Sequence, residues 1–244
     1  MCGIIGFCGI NSPETRKLLA NLIYESAYRG KHSTGLVSYN GGSLDLHHLT
    51  PEHPCYGAPL EYSLAHMTMG VPALCVIAHT RYCTSDLSSP LPIVNNSTAV
   101  VLNGVITQEP FEAWPTYGYL PYKSKNDAEI ALRLAQLGRV TKTPGSYAMC
   151  FLRDNGLITG VRSPERPLWY HVYQWEAGQP YAYAFTSTLD IAKRASVGAT
   201  RVHSQELKPG MIVGLNDSVC FDRWETSPDL QIRSLSPPVA PCKL

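Results

Sequence analysis

The residues best equipped for chemistry open the chain, in Met1-Cys2-Gly3-Ile4-Ile5-Gly6-Phe7. Removal of Met1 would leave Cys2 carrying both a thiol and a free α-amine. An α-amine has an ordinary pKa near ~8 and can take the thiol proton at neutral pH, so one residue would serve as nucleophile and base together. The same stretch also reads as a buried strand with a core cysteine, because free cysteine is among the most buried residue types. Three more places invite chemistry. A polar burst, His79-Thr80-Arg81-Tyr82-Cys83-Thr84-Ser85-Asp86, follows the apolar Val76-Ile77-Ala78. Asn103-Gly104 follows Ala99-Val100-Val101-Leu102. It reads most simply as a hairpin turn into Val105-Ile106, and alternatively as a side-chain amide and a backbone N–H aimed at a reacting carbonyl oxygen. Asp127 is either a helix N-cap or first-turn acid facing the helix dipole, or the acceptor of a substrate ammonium group.

The surrounding pattern supplies elements to hold these groups. Ser12-Pro13-Glu14 is a helix start, with Leu18, Leu19, Leu22, Ile23 and Ala27 at helical spacing up to Tyr28-Arg29-Gly30. Asn40-Gly41-Gly42 joins Leu36–Tyr39 to Leu44–His47 as a hairpin. Residues 51–72 predict a loop with one short helix. A helix runs from Asn126 to Leu137, and Asp154-Asn155-Gly156 turns Tyr147–Leu152 back into Leu157–Val161. Further strands are expected over 168–175, 181–185, 211–214 and 218–221, with a short helix over 189–195. Hairpin-linked strands with a few helices describe antiparallel sheets covered by helices, an α+β layering.

Composition narrows the function. The 244 residues are 44% hydrophobic and 16% charged, a globular chain able to bury a core. With 20 Lys plus Arg against 19 Asp plus Glu, no basic balance points to nucleic acid or an anionic membrane. The N-terminus lacks an export signal and no stretch suits a membrane span, so a soluble, cytoplasmic protein is expected. The eight cysteines form no C-x-x-C pair and read as reduced thiols. The histidines lack ligand spacing, so neither a metal nor a cofactor is expected.

The motifs acquire a joint meaning from their order. MCGIIGF at the start, YRGKHSTGL over 28–36, AHTRYCT over 78–84, VLNGVI over 101–106, NDAE over 126–129 and PGSYAM over 144–149 resemble the glutaminase domain of class II glutamine amidotransferases. These are N-terminal nucleophile hydrolases and include the glutaminase portions of glucosamine-6-phosphate synthase, amidophosphoribosyltransferase and asparagine synthetase. The resemblance implies a four-layer αββα sandwich of two antiparallel sheets flanked by helices. It would span residues 1–225, leaving 226–244 as a proline-rich tail. It implies Cys2 as the nucleophile on the glutamine side-chain amide, forming a γ-glutamyl thioester. Asn103 and the backbone N–H of Gly104 would form the oxyanion hole. Arg81 would clamp the substrate α-carboxylate, Asp127 would accept the α-ammonium group, and Thr84 and Ser85 would be further substrate-binding residues.

Departures from the family pattern accompany the resemblance. Ser85 stands where synthase-type members carry histidine, and Asp86 where they carry glycine. Lys31 and His32 replace Tyr-Asp or Pro-Asp pairs. No acceptor domain is recognisable after the glutaminase region, so the expectation is a stand-alone subunit. It would take L-glutamine as substrate and deliver ammonia to a separate synthetase or transferase. Two other readings stay open: an N-terminal cysteine amidohydrolase acting on another amide, and a catalytically silent domain that binds an amino acid or a partner.

Overall fold

The computed structural model describes residues 2–49, 64–65, 70–82, 91–117, 122–175, 181–196 and 200–215. Thr84, Ser85, the strand expected over 218–221, the tail expected over 226–244 and most of the loop expected over 51–72 lie outside these residues.

Twelve strands form two sheets among the described residues. The strands are β1 (Gly3–Ile10), β2 (Ser33–Tyr39), β3 (Leu44–Leu49), β4 (Ala73–Arg81), β5 (Ile93–Val94), β6 (Thr98–Val105), β7 (Ser146–Arg153), β8 (Ile158–Arg162), β9 (Trp169–Gln174), β10 (Tyr181–Thr186), β11 (Thr200–Glu206) and β12 (Val213–Leu215). The larger sheet has the order β11-β9-β10-β1-β4-β2-β3 and the smaller β12-β8-β7-β6-β5. Neighbouring strands in both are antiparallel. The helices are α1 (Pro13–Ser26), α2 (Ala128–Gln136) and α3 (Leu189–Ala195), with a 3₁₀ segment over Phe111–Tyr117.

Strand alternation sorts the side chains into three apolar layers. Ile4 and Cys8 of β1, Cys75 and Ile77 of β4, Val101 of β6 and Cys150 of β7 meet between the sheets. The opposite face of β1 and β4, through Ile5, Phe7, Leu74 and Val76, packs on Leu18, Leu19, Leu22 and Ile23 of α1 and Ile191 of α3. Val100 and Leu102 of β6, with Met149 and Phe151 of β7, receive Ile130, Ala131 and Leu134 of α2. Helix, sheet, sheet, helix is thus the layering, as the resemblance implied. Ser12 caps α1 by accepting from the Thr15 N–H at 3.2 Å, and Pro13 fills the first turn, where its missing N–H costs nothing.

Two expectations are corrected. Asn103-Gly104 makes no turn: β6 runs through it, with Asn103 opposite Ala148 and Gly104 opposite Tyr147 on β7. The reason is local crowding. Gly104 has φ of 149°, and a Cβ there would strike the Ser146 carbonyl oxygen, so the glycine serves close strand approach rather than reversal. Strand β11 was not expected at all. Apart from Val202 its residues are all polar, and its pairing carries a register shift between Arg201 and His203, so no period-two signal marks it.

Candidate active site

Cys2 precedes β1 and is half-buried. Its neighbours follow from the start of that strand. Gly3 lies opposite Thr80 of β4, and a Cβ on Gly3 would collide with the hydroxyls of Ser26 and Thr80. The Ile4 N–H donates to Ser187 Oγ at 2.8 Å, and the Ser187 N–H returns a bond to the Ile4 carbonyl at 3.2 Å. Strand β1 is therefore pinned on both sides one or two residues from the thiol. The Cys2 Sγ stands 3.8 Å from the Tyr82 carbonyl oxygen.

The segment Tyr28–Gly35 buttresses this corner. Arg29 Nε donates to the Cys2 carbonyl at 3.0 Å. Burial holds the Arg29 guanidinium below its usual pKa, opposed by Cys2 and assisted by Arg166. Gly30 abuts the Arg81–Tyr82 peptide so tightly that a Cβ would overlap it. The His32 N–H donates to the Arg81 carbonyl at 3.0 Å. The His32 ring lies on the Tyr82 ring with centroids 5.0 Å apart. His32 thus stands beside Tyr82, whereas the Lys31 ammonium lies 5.9 Å from the centroid of the Tyr28 ring.

Register and alternation bring the predicted residues toward one space. The β1–β4 ladder ends with Gly3 opposite Thr80, so Cys2 and Arg81 are adjacent at the same end of the larger sheet. Even-numbered Ile4 and Cys8 and odd-numbered Cys75 and Ile77 face the inter-sheet layer, and the same alternation turns Cys2, His79 and Arg81 to that side. From the smaller sheet, Val101 occupies this layer and Asn103 shares its face. Asn103 is 3% exposed and its Nδ2 has no hydrogen-bond partner. Leaving such a buried donor unsatisfied costs about 1–3 kcal/mol.

Asp127 sits just before α2, but its side chain makes no capping bond, contrary to the N-cap reading. Asn126 Oδ1 takes that part by accepting from the Ala128 N–H at 3.0 Å. The Asp127 carboxylate instead accepts from the Ile106 N–H at 2.6 Å, at the end of the strand that carries Asn103. Burial raises its pKa despite the lowering effect of the amides of Ile106, Thr107, Asp127 and Ala128. A partly desolvated carboxylate of this kind gains from a cationic partner.

Sequence reasoning passed over two residues. Glu129, 2% exposed, gathers the N–H groups of Lys123 and Ser124, the Ser124 hydroxyl and Arg133, and so fixes the loop leading to Asp127. Its place in the NDAE motif was the available signal. His79 is 1% exposed, and no side chain satisfies either of its ring nitrogens. Burial, and then Arg81, push its pKa down to about 3, with the Leu102 carbonyl opposing. A cavity of about 770 Å³ at the β5 edge, lined by His48, Asn95, Lys123 and Arg133 among others, includes none of the predicted residues.

No family model and no curated protein matches this sequence. Solved structures do. Glutamine phosphoribosylpyrophosphate amidotransferase from B. subtilis, complexed with ADP and GMP, aligns over 88% of this chain and 47% of its own, with a TM-score of 0.60 at 20% identity. A structure described as the allosteric regulatory enzyme of purine biosynthesis aligns over the same shares, with a TM-score of 0.62 at 19% identity. The chain spans about half the length of these proteins. The likeness shows the fold alone: the two-sheet αββα arrangement of this chain is shared with the aligned half of these two proteins.

Proposed function

We propose that this chain is the glutaminase component of a glutamine-dependent amidotransferase. The observation that carries the reading is the convergence of Cys2, Arg81 and Asn103 on the space between two sheets, from a fold shared with an amidotransferase domain. Cys2 is a nucleophile for acyl chemistry. Arg81 and Asp127 bear charges opposite to the two ends of a free amino acid, which favours glutamine over an internal or simple amide. A guanidinium suits the α-carboxylate through paired donors, and the partly desolvated Asp127 carboxylate suits the α-ammonium group.

In the proposed sequence, the Cys2 thiolate attacks the side-chain amide carbon. The α-amine freed by removal of Met1 takes the thiol proton. The tetrahedral oxyanion is met by Asn103 and the Gly104 N–H, where a preorganised donor is worth about 3 kcal/mol in the transition state. Collapse expels ammonia, with the proton returned to the leaving nitrogen, and leaves a γ-glutamyl thioester. Water then adds to the thioester, glutamate leaves, and Cys2 is regenerated. The ammonia would pass to an acceptor enzyme, a synthetase or transferase whose identity lies outside these residues.

Incubation of the processed protein with L-glutamine tests the reading through glutamate formation. Glutamate release that disappears in Cys2→Ala is expected. Absence of glutamate from protein whose mass establishes Cys2 as the terminal residue, with and without candidate acceptor proteins, would overturn it.

A further inference from the structure

The glutaminase reading leaves His79 without a task. It is buried in the inter-sheet layer with the Leu102 carbonyl as the polar group acting on its ring, which leaves one ring nitrogen without a partner, and Nδ2 of Asn103 is likewise buried and unpartnered. Buried polar atoms without partners are rare enough that each calls for an explanation. These two belong to strands that pack face to face, β4 and β6. His79 lies opposite Ile4 of β1 and Gly35 of β2, one inward-facing position deeper than Cys2 and Arg81. The charged group on this side is Arg81 on its own strand, and the titratable thiols are Cys2 just before β1, Cys8 on β1, Cys75 on β4 and Cys150 on β7. Gly35 on β2 brings none, and β6 brings the neutral Asn103. The Leu102 carbonyl, adjoining Asn103, is the polar group that acts on the imidazole from the smaller sheet.

We infer that His79 is a positioning residue for the Asn103 amide, an assignment that rests on the glutaminase reading. The ring is neutral, so it offers one N–H and one bare nitrogen. The N–H is directed to the Leu102 carbonyl. The bare nitrogen accepts, through one bridging water, from one of the two Nδ2 hydrogens of Asn103. The second hydrogen is then left pointing at the place where the oxyanion forms. An imidazolium would present two donors and no acceptor, and would turn the amide away. Burial beside Arg81 keeps that form out of reach. His171, the other fully buried histidine among the described residues, has both ring nitrogens engaged, by Ser204 and Thr186 at 2.8 Å each. The contrast marks His79 as the histidine whose bonding remains to be completed inside the site.

A kinetic cycle separates positioning from general support of the fold. His79→Leu and His79→Gln are made in the wild-type and Asn103→Ala backgrounds, and rates are expressed per reactive Cys2. His79→Leu is expected to lower kcat by about tenfold or more, as a displaced catalytic donor does, with KM for glutamine within about twofold. His79→Gln, which keeps a polar acceptor, restores most of the rate. In Asn103→Ala, adding His79→Leu produces no further loss. Equal losses in both backgrounds, or a loss carried by KM, would overturn the assignment. If His79→Leu does not fold, side-chain ¹⁵N spectra of the wild-type protein decide. One neutral tautomer from pH 5 to pH 8 is expected, and a ring that gains charge in that range overturns it. A wild-type protein that makes no glutamate removes the glutaminase reading and this assignment together. Additive losses in an active enzyme remove this assignment alone.

Discussion

Replacing Asp127 by asparagine separates substrate capture from chemistry. The asparagine Oδ1 can still accept from the Ile106 N–H, which the carboxylate engages at 2.6 Å, so the end of β6 stays in place and only the charge is lost. Truncating one member of a desolvated charge pair costs about 2–5 kcal/mol. Asp127 is partly exposed, which places the effect toward the lower end. At about 2–3 kcal/mol, KM for glutamine rises roughly 30- to 150-fold, using ~1.4 kcal/mol per decade, while kcat stays within about threefold. pH supplies a second readout. Burial raises the Asp127 pKa above its ordinary value. As pH falls through that raised value the carboxylate protonates and the substrate ammonium loses its partner, so KM climbs on the acid side. Asp127→Asn abolishes this limb. The same shift has a stability consequence with the opposite sign. A carboxylate whose folded pKa exceeds its unfolded one contributes stability at low pH that is lost as pH rises through the folded pKa. The asparagine variant is therefore at least as heat-stable as wild type at pH 7. Steady-state glutaminase assays from pH 5 to 8, with thermal melts, check all three statements. A collapse of kcat with KM unchanged would refute the ammonium-binding role.

Other perturbations follow from the same geometry. Gly104→Ala forces a Cβ onto the Ser146 carbonyl at a φ of 149°. It is expected to cost about 3 kcal/mol, seen as a fall of roughly 6–12 °C in Tm. Glu129→Ala strips the acceptor from the amides of Lys123 and Ser124 and from Arg133. A destabilisation of about 3 kcal/mol and faster amide exchange at residues 123 and 124 are the expected results. His79, with a folded pKa of about 3 against 6.5, makes stability fall as the pH drops through 6.5 toward 3, because the unfolded chain takes the proton first. Denaturant titrations across that range should show this loss, and His79→Gln should reduce it.

The fold was legible wherever local chemistry and periodicity agreed. Ser12-Pro13 announced α1, Asn40-Gly41 the first hairpin, and Asp154-Asn155-Gly156 the β7–β8 connection, because caps and turns are written in adjacent residues. The sites of failure depended on distant neighbours. Asn103-Gly104 has the composition of a turn, yet the Ser146 carbonyl across the ladder decides its conformation. Asp127 looked like a cap until the Ile106 N–H, 21 positions earlier in the chain, claimed its carboxylate. His79 carried no sequence signal beyond its place in a polar burst. Its isolation between two sheets emerges only when β4 and β6 are packed together.

The central claim is that Cys2 is the nucleophile that opens the glutamine amide. A glutamine analogue with a diazoketone in place of the side-chain amide, 6-diazo-5-oxo-L-norleucine, tests it directly by leaving a stable thioether on the attacking sulfur. Peptide mass mapping of the treated protein is expected to find one label per chain, on Cys2, with glutamine slowing its arrival and Cys2→Ala abolishing it. Folded, processed protein that takes no label, or takes it on another cysteine at the same rate with and without glutamine, would contradict the account.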